Sequence, residues 1–402
     1  MVSTRLVLTP EKVSAKLEAM KSFRFLCHPE VVAGDGALAL LPEKIKALGG
    51  LRILLVVDPF LRKTEKVKNL QEKLVASGFQ LTVYDGFSGE PTTEQGDDCA
   101  SWGKKQGCNI VVGLGGGSVL DTAKAAAVLI TNGGSVRDYQ GLNRVPGPGL
   151  PTIMVPTTAG TGSEVTFTAV FVRREERKKA GINSPYLYPQ VAILDPELTV
   201  TMSPAVTAST GLDALCHALE SYTSQQANFV TEAISRQAVS LIWKNLPRAF
   251  ADGASLEARR AMLYGSFLAG LGLANAGVTA VHAISYPLGG RFGLAHGVAN
   301  GLLLPYVLEF NLPEVEDKIG LLAVELNPTW TGKSRKEAAC DFVQEIKAWL
   351  TAFQIPRLKN LGISPEVFPE LAKDALLVSV PIQNNPRPIT APDIVSIYQA
   401  AW

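Results

Sequence analysis

Three of the chain's four histidines, His217, His282 and His296, fall in one window, Gly211 to Asn300, and Asp213 stands four residues before the first of them. On a helix that spacing sets Asp213 and His217 on one face, a turn apart. Two imidazoles from a second segment would complete an Asp/His/His/His set. Such a set is borderline in softness and suits Fe²⁺ or Zn²⁺ better than Mg²⁺ or Ca²⁺. A lone histidine is more often an ordinary surface or core residue. It is the clustering, in a chain poor in histidine, that points to a metal.

A second chemical signal is GLGGGSVLDTAKA, where Gly115, Gly116 and Gly117 carry no side chain at the point where a strand hands over to a helix. Ser118 then opens the helix, whose unpaired N–H groups and dipole favour an anion such as a pyrophosphate. The pattern is not GxGxxG, so its weight comes from the strand–turn–helix context. Asp121 and Lys124 lie further into that helix. Asp121 is placed with the cofactor-binding residues; the bland expectation for the two is a surface ion pair. Asp58 ends an earlier apolar run, in VVDPF, where a carboxylate can accept from an adenosine ribose and repel a 2′-phosphate. Its bland role is to form a turn before Pro59. A third stretch, PTTAGTGSEVT, offers Thr157, Thr158, Thr161, Ser163 and Thr166 as neutral donors.

Behind these turns the pattern alternates. LRILLVVD, FQLTVYDG and CNIVVGLGGG read as strands, the first nearly continuous in apolar residues, as a doubly covered parallel strand requires. RKTEKVKNLQEKLVAS, Thr92 to Gln106 and the segment from Ser118 read as helices, so βαβ units and a mostly parallel α/β sheet are expected. After VAILDPELTVTMSP the alternation stops. Helices are predicted over Ala208–Ser224, Phe229–Ala251, Ser255–Ala274, Val298–Phe310, Ser334–Phe353 and Pro365–Val378, the fifth opening on a capping box of Ser334 and Glu337. The expected divisions are an amino-terminal extension over 1–22, with one helix from Pro10 to Met20, a dinucleotide-binding domain over 23–198, and an all-α metal-binding domain over 199–402. The reaction then belongs in the cleft between the two large units.

Composition narrows the classes. Net charge is +1 over 402 residues, with 47% apolar and 19% charged residues, and the basic residues are scattered, so no nucleic-acid partner is expected. The densest basic run, RREERKK from Arg173 to Lys179, reads as a solvated turn. Five widely spaced cysteines without a CxxC pair argue against a disulfide framework or thiolate zinc site. With no signal-peptide core and no apolar run of membrane-spanning length, the expectation is a cytoplasmic protein with no membrane partner.

The motifs GGGSVLDTAKA, PTTAGTGSEVT, KAGINSPYLYPQVAILDPEL, GLDALCHALESY and VHAISYPLGGRFGLAHGVANGLLLPYVLEFN, with NNPRPIT near the carboxyl terminus, resemble in order those of the iron-containing (group III) alcohol dehydrogenases, over roughly Phe23 onward. The resemblance implies a Rossmann-like α/β amino domain followed by an all-α carboxyl domain, in a dehydroquinate synthase-like architecture, and NAD(H)-dependent interconversion of a small primary alcohol and its aldehyde, in a homodimer or higher homo-oligomer. It assigns Asp213, His217, His282 and His296 to the metal, Fe²⁺ with Zn²⁺ possible. Gly115, Gly116, Gly117 and Ser118 would hold the pyrophosphate, while Thr157, Thr158 and Thr166 would line the cofactor cleft. Lys179 would reach the nicotinamide ribose, and Asp58 favours NAD over NADP. Many members carry a second histidine four residues after the third ligand, to relay the proton. Here Tyr286 stands there, a weaker base with an ordinary pKa of about 10, and is placed with His282 as catalytic. Glu90, in GEPT, replaces a frequent asparagine.

The chemistry expected is Lewis-acid activation of an alcohol oxygen beside a hydride acceptor. Phe167, Phe267 and Phe292 are expected near the substrate. Two rivals remain. A metal-dependent lyase resembling dehydroquinate synthase would use NAD without consuming it and need basic residues near the metal, of which only Arg291 is close in sequence. A non-catalytic nucleotide-binding or filament protein would have no need of the ligand motifs.

Overall fold

A computed structural model describes residues 22–402 apart from Ser88 and Arg177; the helix expected over Pro10–Met20 lies outside the described residues. Among the described residues nine strands follow in chain order: β1 (Glu30–Ala33), β2 (Arg52–Val57), β3 (Gln80–Tyr84), β4 (Ile110–Gly115), β5 (Gly141–Leu142), β6 (Thr152–Pro156), β7 (Thr168–Arg173), β8 (Lys178–Asn183) and β9 (Val191–Leu194). Six form a sheet in the order β1-β9-β6-β4-β2-β3, and every pairing in it is parallel. Successive residues of β2 supply opposite faces: Leu54 and Val56 enter one apolar cluster, Ile53, Leu55 and Val57 the other. That is why the run RILLVV carries no polar alternation.

The helices of this half are α1 (Leu41–Ala47), α2 (Pro59–Arg62), α3 (Glu65–Ala76), α4 (Thr93–Lys105), α5 (Gly117–Asn132) and α6 (Val136–Tyr139). The chain steps from β2 out to β3, then returns past β2 to β4. The direction of winding therefore reverses between β2 and β4, and ligands of such sheets sit outside the carboxyl ends of the strands at that point. Val57 pairs with Leu114, and Gly115 with Pro156. Asp58, Gly116 and Thr157, which follow those strands in three distant stretches, thus emerge side by side.

The basic run Arg173–Lys179 is not simply a solvated turn. It joins β7 to β8, whose antiparallel pairing sets Val172 opposite Lys179 in a second, three-stranded sheet. The Lys179 side chain is only 3% exposed there, because alternate residues of a strand face inward.

The second half is helical: α7 (Pro204–Thr223), α8 (Phe229–Ala251), α9 (Leu256–Ala276), α10 (Ala280–Phe292), α11 (His296–Leu326), α12 (Arg335–Ala352), α13 (Phe368–Leu376), α14 (Ser379–Asn384) and α15 (Ala391–Ala401). The segment expected over Phe229–Ala251 agrees residue for residue, and Ser334 and Glu337 form their capping box. Helix α10 escaped sequence reading because Pro287 interrupts it, and α11 runs past Phe310 through Pro305 and Pro313. Each interior proline removes one backbone hydrogen bond, and burial of the apolar face offsets that loss here. No single described helix is long and apolar enough to cross a membrane.

From Gly211 to Thr223 every residue of α7 is buried. A helix buried all round belongs to a core, so its polar residues need partners inside the protein. Those residues form the site.

Candidate metal and dinucleotide site

Asp213 and His217 project from α7, His282 from the first turn of α10, and His296 begins α11. Their ligand atoms all lie within 4.8 Å of one another. The Nε2 atoms of His282 and His217 are 3.0 Å apart, and Asp213 Oδ1 is 3.9 Å from His217 Nε2 and 4.0 Å from His296 Nε2. Hydrogen bonds orient the rings from behind. Nδ1 of His217 faces the Gly160 carbonyl at 3.2 Å, and Nδ1 of His282 contacts the Glu220 carboxylate. Such contacts set the tautomer and leave the Nε2 lone pair facing the cluster.

Electrostatics keep the set ready for a cation. Burial lowers the pKa of His217 and pushes that of His296 down to about 3, with Lys179 and the neighbouring imidazoles helping in the latter case, while Asp213 pulls both the other way. Burial works to raise the Asp213 carboxyl, but His217, His296 and His282 together hold it below the usual carboxylate range. At His282 burial is outweighed by Glu220, which raises its pKa.

The donor set fits a divalent metal. Asn300 Nδ2 donates to Asp213 Oδ1 at 2.7 Å and also lies 3.0 and 3.1 Å from Nε2 of His282 and His296. One NH₂ carries two hydrogens and cannot serve three acceptors, while Asn300 Oδ1 is buried with no hydrogen-bond partner among the described residues. The ligand lone pairs converge on a point that a cation satisfies better than an amide. Cys216, Glu220 and His282 form a second grouping on the Nδ1 side of the ring, but burial drives the Cys216 thiol well above its ordinary pKa.

The cluster opens into a cleft of about 1490 Å³ that runs back to the sheet. Asp58, Gly116, Gly117, Ser118, Asp121, Thr157, Thr158, Thr166 and Lys179 line it together with Asp213, His217, His282 and His296. Gly115 does not. It lies within β4, where a Cβ would come within 2.7 Å of Val119, so its role is to let α5 pack on the strand. The first N–H groups of α5 have no intrahelical partner and face the cleft end of the helix.

Asp121 is already committed to protein partners: Oδ1 accepts from Ser163 at 2.6 Å and Oδ2 from the Val170 N–H at 2.8 Å. Its pairing with Lys124, 3.6 Å away, is buried rather than at the surface, and Lys124 donates to the Ser163 and Thr168 carbonyls. Asp58 caps α2 through the N–H groups of Phe60 and Leu61 while also lining the cleft. Tyr286 lines the cleft beside His282 and His296. Burial, reinforced by Glu220, Asp121 and Asp213, pushes its phenol up to about 12, so the phenol holds its proton near neutrality. Of the three phenylalanines expected near the substrate, Phe167 is in the cleft, while Phe267 and Phe292 are not; Phe292 closes α10 and is exposed. Arg291 is bound to Glu370 and Asp374 and also lies outside the cleft.

Sequence reasoning missed Glu220, Asn300 and the Gly160 carbonyl. Glu220 was within reach: it follows His217 by three residues on the same buried helix face. Asn300, four residues after His296, carries the same helical signal. The Gly160 carbonyl comes from a loop that only the fold brings to α7.

A glycine-rich turn at the switch point of a parallel sheet, facing a buried Asp/His cluster across one cleft, brings a dinucleotide site and a metal site together, as a metal-dependent oxidoreductase requires. Comparison with known proteins agrees. Residues 29–196 match the iron-containing alcohol dehydrogenase family model, and residues 207–402 match that of the Fe-containing alcohol dehydrogenase family, C-terminal. Long-chain-alcohol dehydrogenase 1 of Geobacillus thermodenitrificans is 38% identical over 387 residues, 95% of this chain and 98% of that one. NAD-dependent methanol dehydrogenase of Bacillus methanolicus is 35% identical over 378 residues, 94% of this chain and 99% of that one. The crystal structure of a 1,3-propanediol oxidoreductase superposes with a TM-score of 0.91 at 36% identity, covering 95% of this chain and 100% of the other. The chain belongs to the iron-containing alcohol dehydrogenase family. It is an NAD(H)- and metal-dependent oxidoreductase that interconverts alcohols and aldehydes.

Proposed function

We propose that Asp213, His217, His282 and His296 hold the catalytic metal, Fe²⁺ or Zn²⁺, and that the substrate is a small primary alcohol or its aldehyde. The observation that carries this reading is the convergence of four ligand atoms within 4.8 Å, at the inner end of a cleft that also holds the α5 glycine turn. When bound, the metal supplies a Lewis acid to the substrate oxygen and the nicotinamide a donor or acceptor of hydride.

The chain's own part is positioning and charge. Asp213 brings one negative charge to the site, so a dication there retains net positive character. Glu220 holds the His282 ring in place. Gly116, Gly117 and Ser118 leave room for a pyrophosphate at the α5 N-terminus, and Thr157, Thr158 and Thr166 offer hydroxyls along the same wall. Lys179 lies on the cofactor side, and Asp58 stands where a ribose hydroxyl would be met. Holding both reactants in one cleft replaces a bimolecular encounter with an oriented one. Tyr286 keeps its proton at neutral pH and can hand it to a product oxygen.

Arg291 bears on the lyase alternative. Its pairing with Glu370 and Asp374 leaves it unavailable for a phosphate-bearing substrate. The test is NADH oxidation by metal-stripped protein re-supplied with Fe²⁺ or Zn²⁺ and a panel of short aldehydes. Turnover restored by one metal supports the reading; metal binding with no NADH consumed would shift it to the lyase. We also propose a division near 198/199, following an amino-terminal extension over 1–22, a homodimer or higher oligomer, and a cytoplasmic location, the last supported by five unpaired cysteines. Light scattering of purified protein tests the oligomer.

A further inference from the structure

The four ligand candidates are not equally anchored. Asp213 has Asn300, His217 has the Gly160 carbonyl and His282 has Glu220, and their side chains are 2%, 6% and 3% exposed. The His296 side chain is 26% exposed, and among the described residues no carboxylate or carbonyl holds its ring from behind. It is also the first residue of α11, whose N-cap, Ala295, offers no side-chain cap.

Glu90 supplies what that helix end lacks. Its Oε1 accepts from the His296 N–H at 3.1 Å, and its Oε2 lies 3.0 Å from Lys179 Nζ. The first N–H of a helix has no intrahelical partner, and a carboxylate there also complements the helix dipole. Glu90 stands on firm backbone, since the next residue, Pro91, gives its carbonyl to the Val172 N–H of β7 at 2.8 Å. On its other side Lys179 is buried and needs a countercharge. It sits against Gly289 of α10, where a Cβ would come within 3.3 Å of its Nζ. One carboxylate from the loop before α4 thus meets a strand residue and the residue proposed as the outermost metal ligand. Both Glu90 and Lys179 line the cleft.

We infer that Glu90 is a positioning residue that ties the His296 end of α11 to Lys179, so that the metal side of the cleft is held against the cofactor side. This rests on the reading of His296 as a metal ligand. Glu90 acts in two separable ways. Its oxygen fixes the backbone of His296, which a glutamine oxygen can also do. Its charge offsets Lys179, which would otherwise oppose a dication nearby, and this a glutamine cannot do.

The experiment uses full-length wild type, Glu90→Ala and Glu90→Gln, each loaded with Zn²⁺. Metal release to an excess of a coloured chelator is followed alongside KM for NADH and the thermal midpoint. Loss of an outer partner of a metal ligand typically weakens the metal by about 10–100-fold. Glu90→Ala should therefore release zinc at least ~10-fold faster than wild type and raise KM for NADH. Glu90→Gln should fall between the two, at least ~3-fold faster than wild type, because only the charge is lost. Release from Glu90→Ala within about twofold of wild type overturns the inference whatever its thermal midpoint, since a merely structural residue would move the midpoint alone. Should Glu90→Ala fail to fold, Glu90→Gln decides, and unchanged release from it overturns the inference. A wild type that holds no zinc would instead bring down the metal-centre reading.

Discussion

His282 turns Nδ1 onto the Glu220 carboxylate and Nε2 toward His217, 3.0 Å away. Glu220 is itself held: its Oε1 accepts from the N–H groups of Thr279 and Val281 and from the Thr279 hydroxyl. The carboxylate is thus bound to the turn that opens α10, and one residue sets both the start of that helix and the aim of its ligand.

Glu220→Gln should lower zinc affinity by about 10–100-fold, the usual effect of losing a carboxylate behind a metal-bound imidazole. Competition against a chelator of known affinity measures it. An unchanged affinity would mean that packing alone orients the ring.

Tyr286→Phe addresses the relay. With the phenol pushed up to about 12, its proton does not leave between pH 6 and 9. The variant should keep the inflections of the wild-type pH–kcat profile in that range. Loss of a neutral-range inflection would show that the phenol titrates there and acts as a base.

Stability should carry a pH signature from Glu164. Burial raises its carboxyl from 4.5 to about 7, against the opposing pull of its own backbone N–H and Lys124, and its Oε1 has no hydrogen-bond partner among the described residues. A raised folded-state pKa means that the folded chain binds the proton more tightly than the unfolded one. The contribution is full below about pH 4.5 and is lost as pH rises through about 7. Glu164→Gln, which cannot ionise, should be more stable than wild type above pH 7, by up to ~3 kcal/mol. Denaturant midpoints at pH 5 and pH 8 check the sign, and a variant less stable at both would refute it.

Gly162→Ala should be destabilising by roughly 1–3 kcal/mol or more. Gly162 has φ +61°, and a Cβ there would lie 2.5 Å from the Cα of Gly270 in α9. This is where the loop after β6 seats on the helical part. The thermal midpoint should fall while a surface control such as Lys68→Ala leaves it in place.

Much of the fold was legible because burial writes itself into residue order. Doubly covered strands leave continuous apolar runs, as in β2 and β4, and capped helices leave signatures such as Ser334 with Glu337. Two helices were missed or cut short near prolines: Pro287 interrupts α10, and Pro313 lies beyond the expected end of α11 at Phe310, where long-range packing carries the helix on.

At the site, the sequence by itself determined the chemistry on offer. A chain with four histidines that keeps three within one window, beside Asp213 at helical spacing, and a three-glycine turn where a strand becomes a helix, already specify a borderline-metal ligand set and an anion cradle. The tertiary structure decided what touches what. Asp58, Gly116 and Thr157 become neighbours only because β2, β4 and β6 are adjacent. Gly115 turns from cradle to packing contact, Asp121 spends its oxygens on Ser163 and Val170, and Glu90 reaches His296 across 206 positions of chain. Hydrogen bonds and ion pairs of that kind depend on distance in space, and residue order encodes distance only within an element.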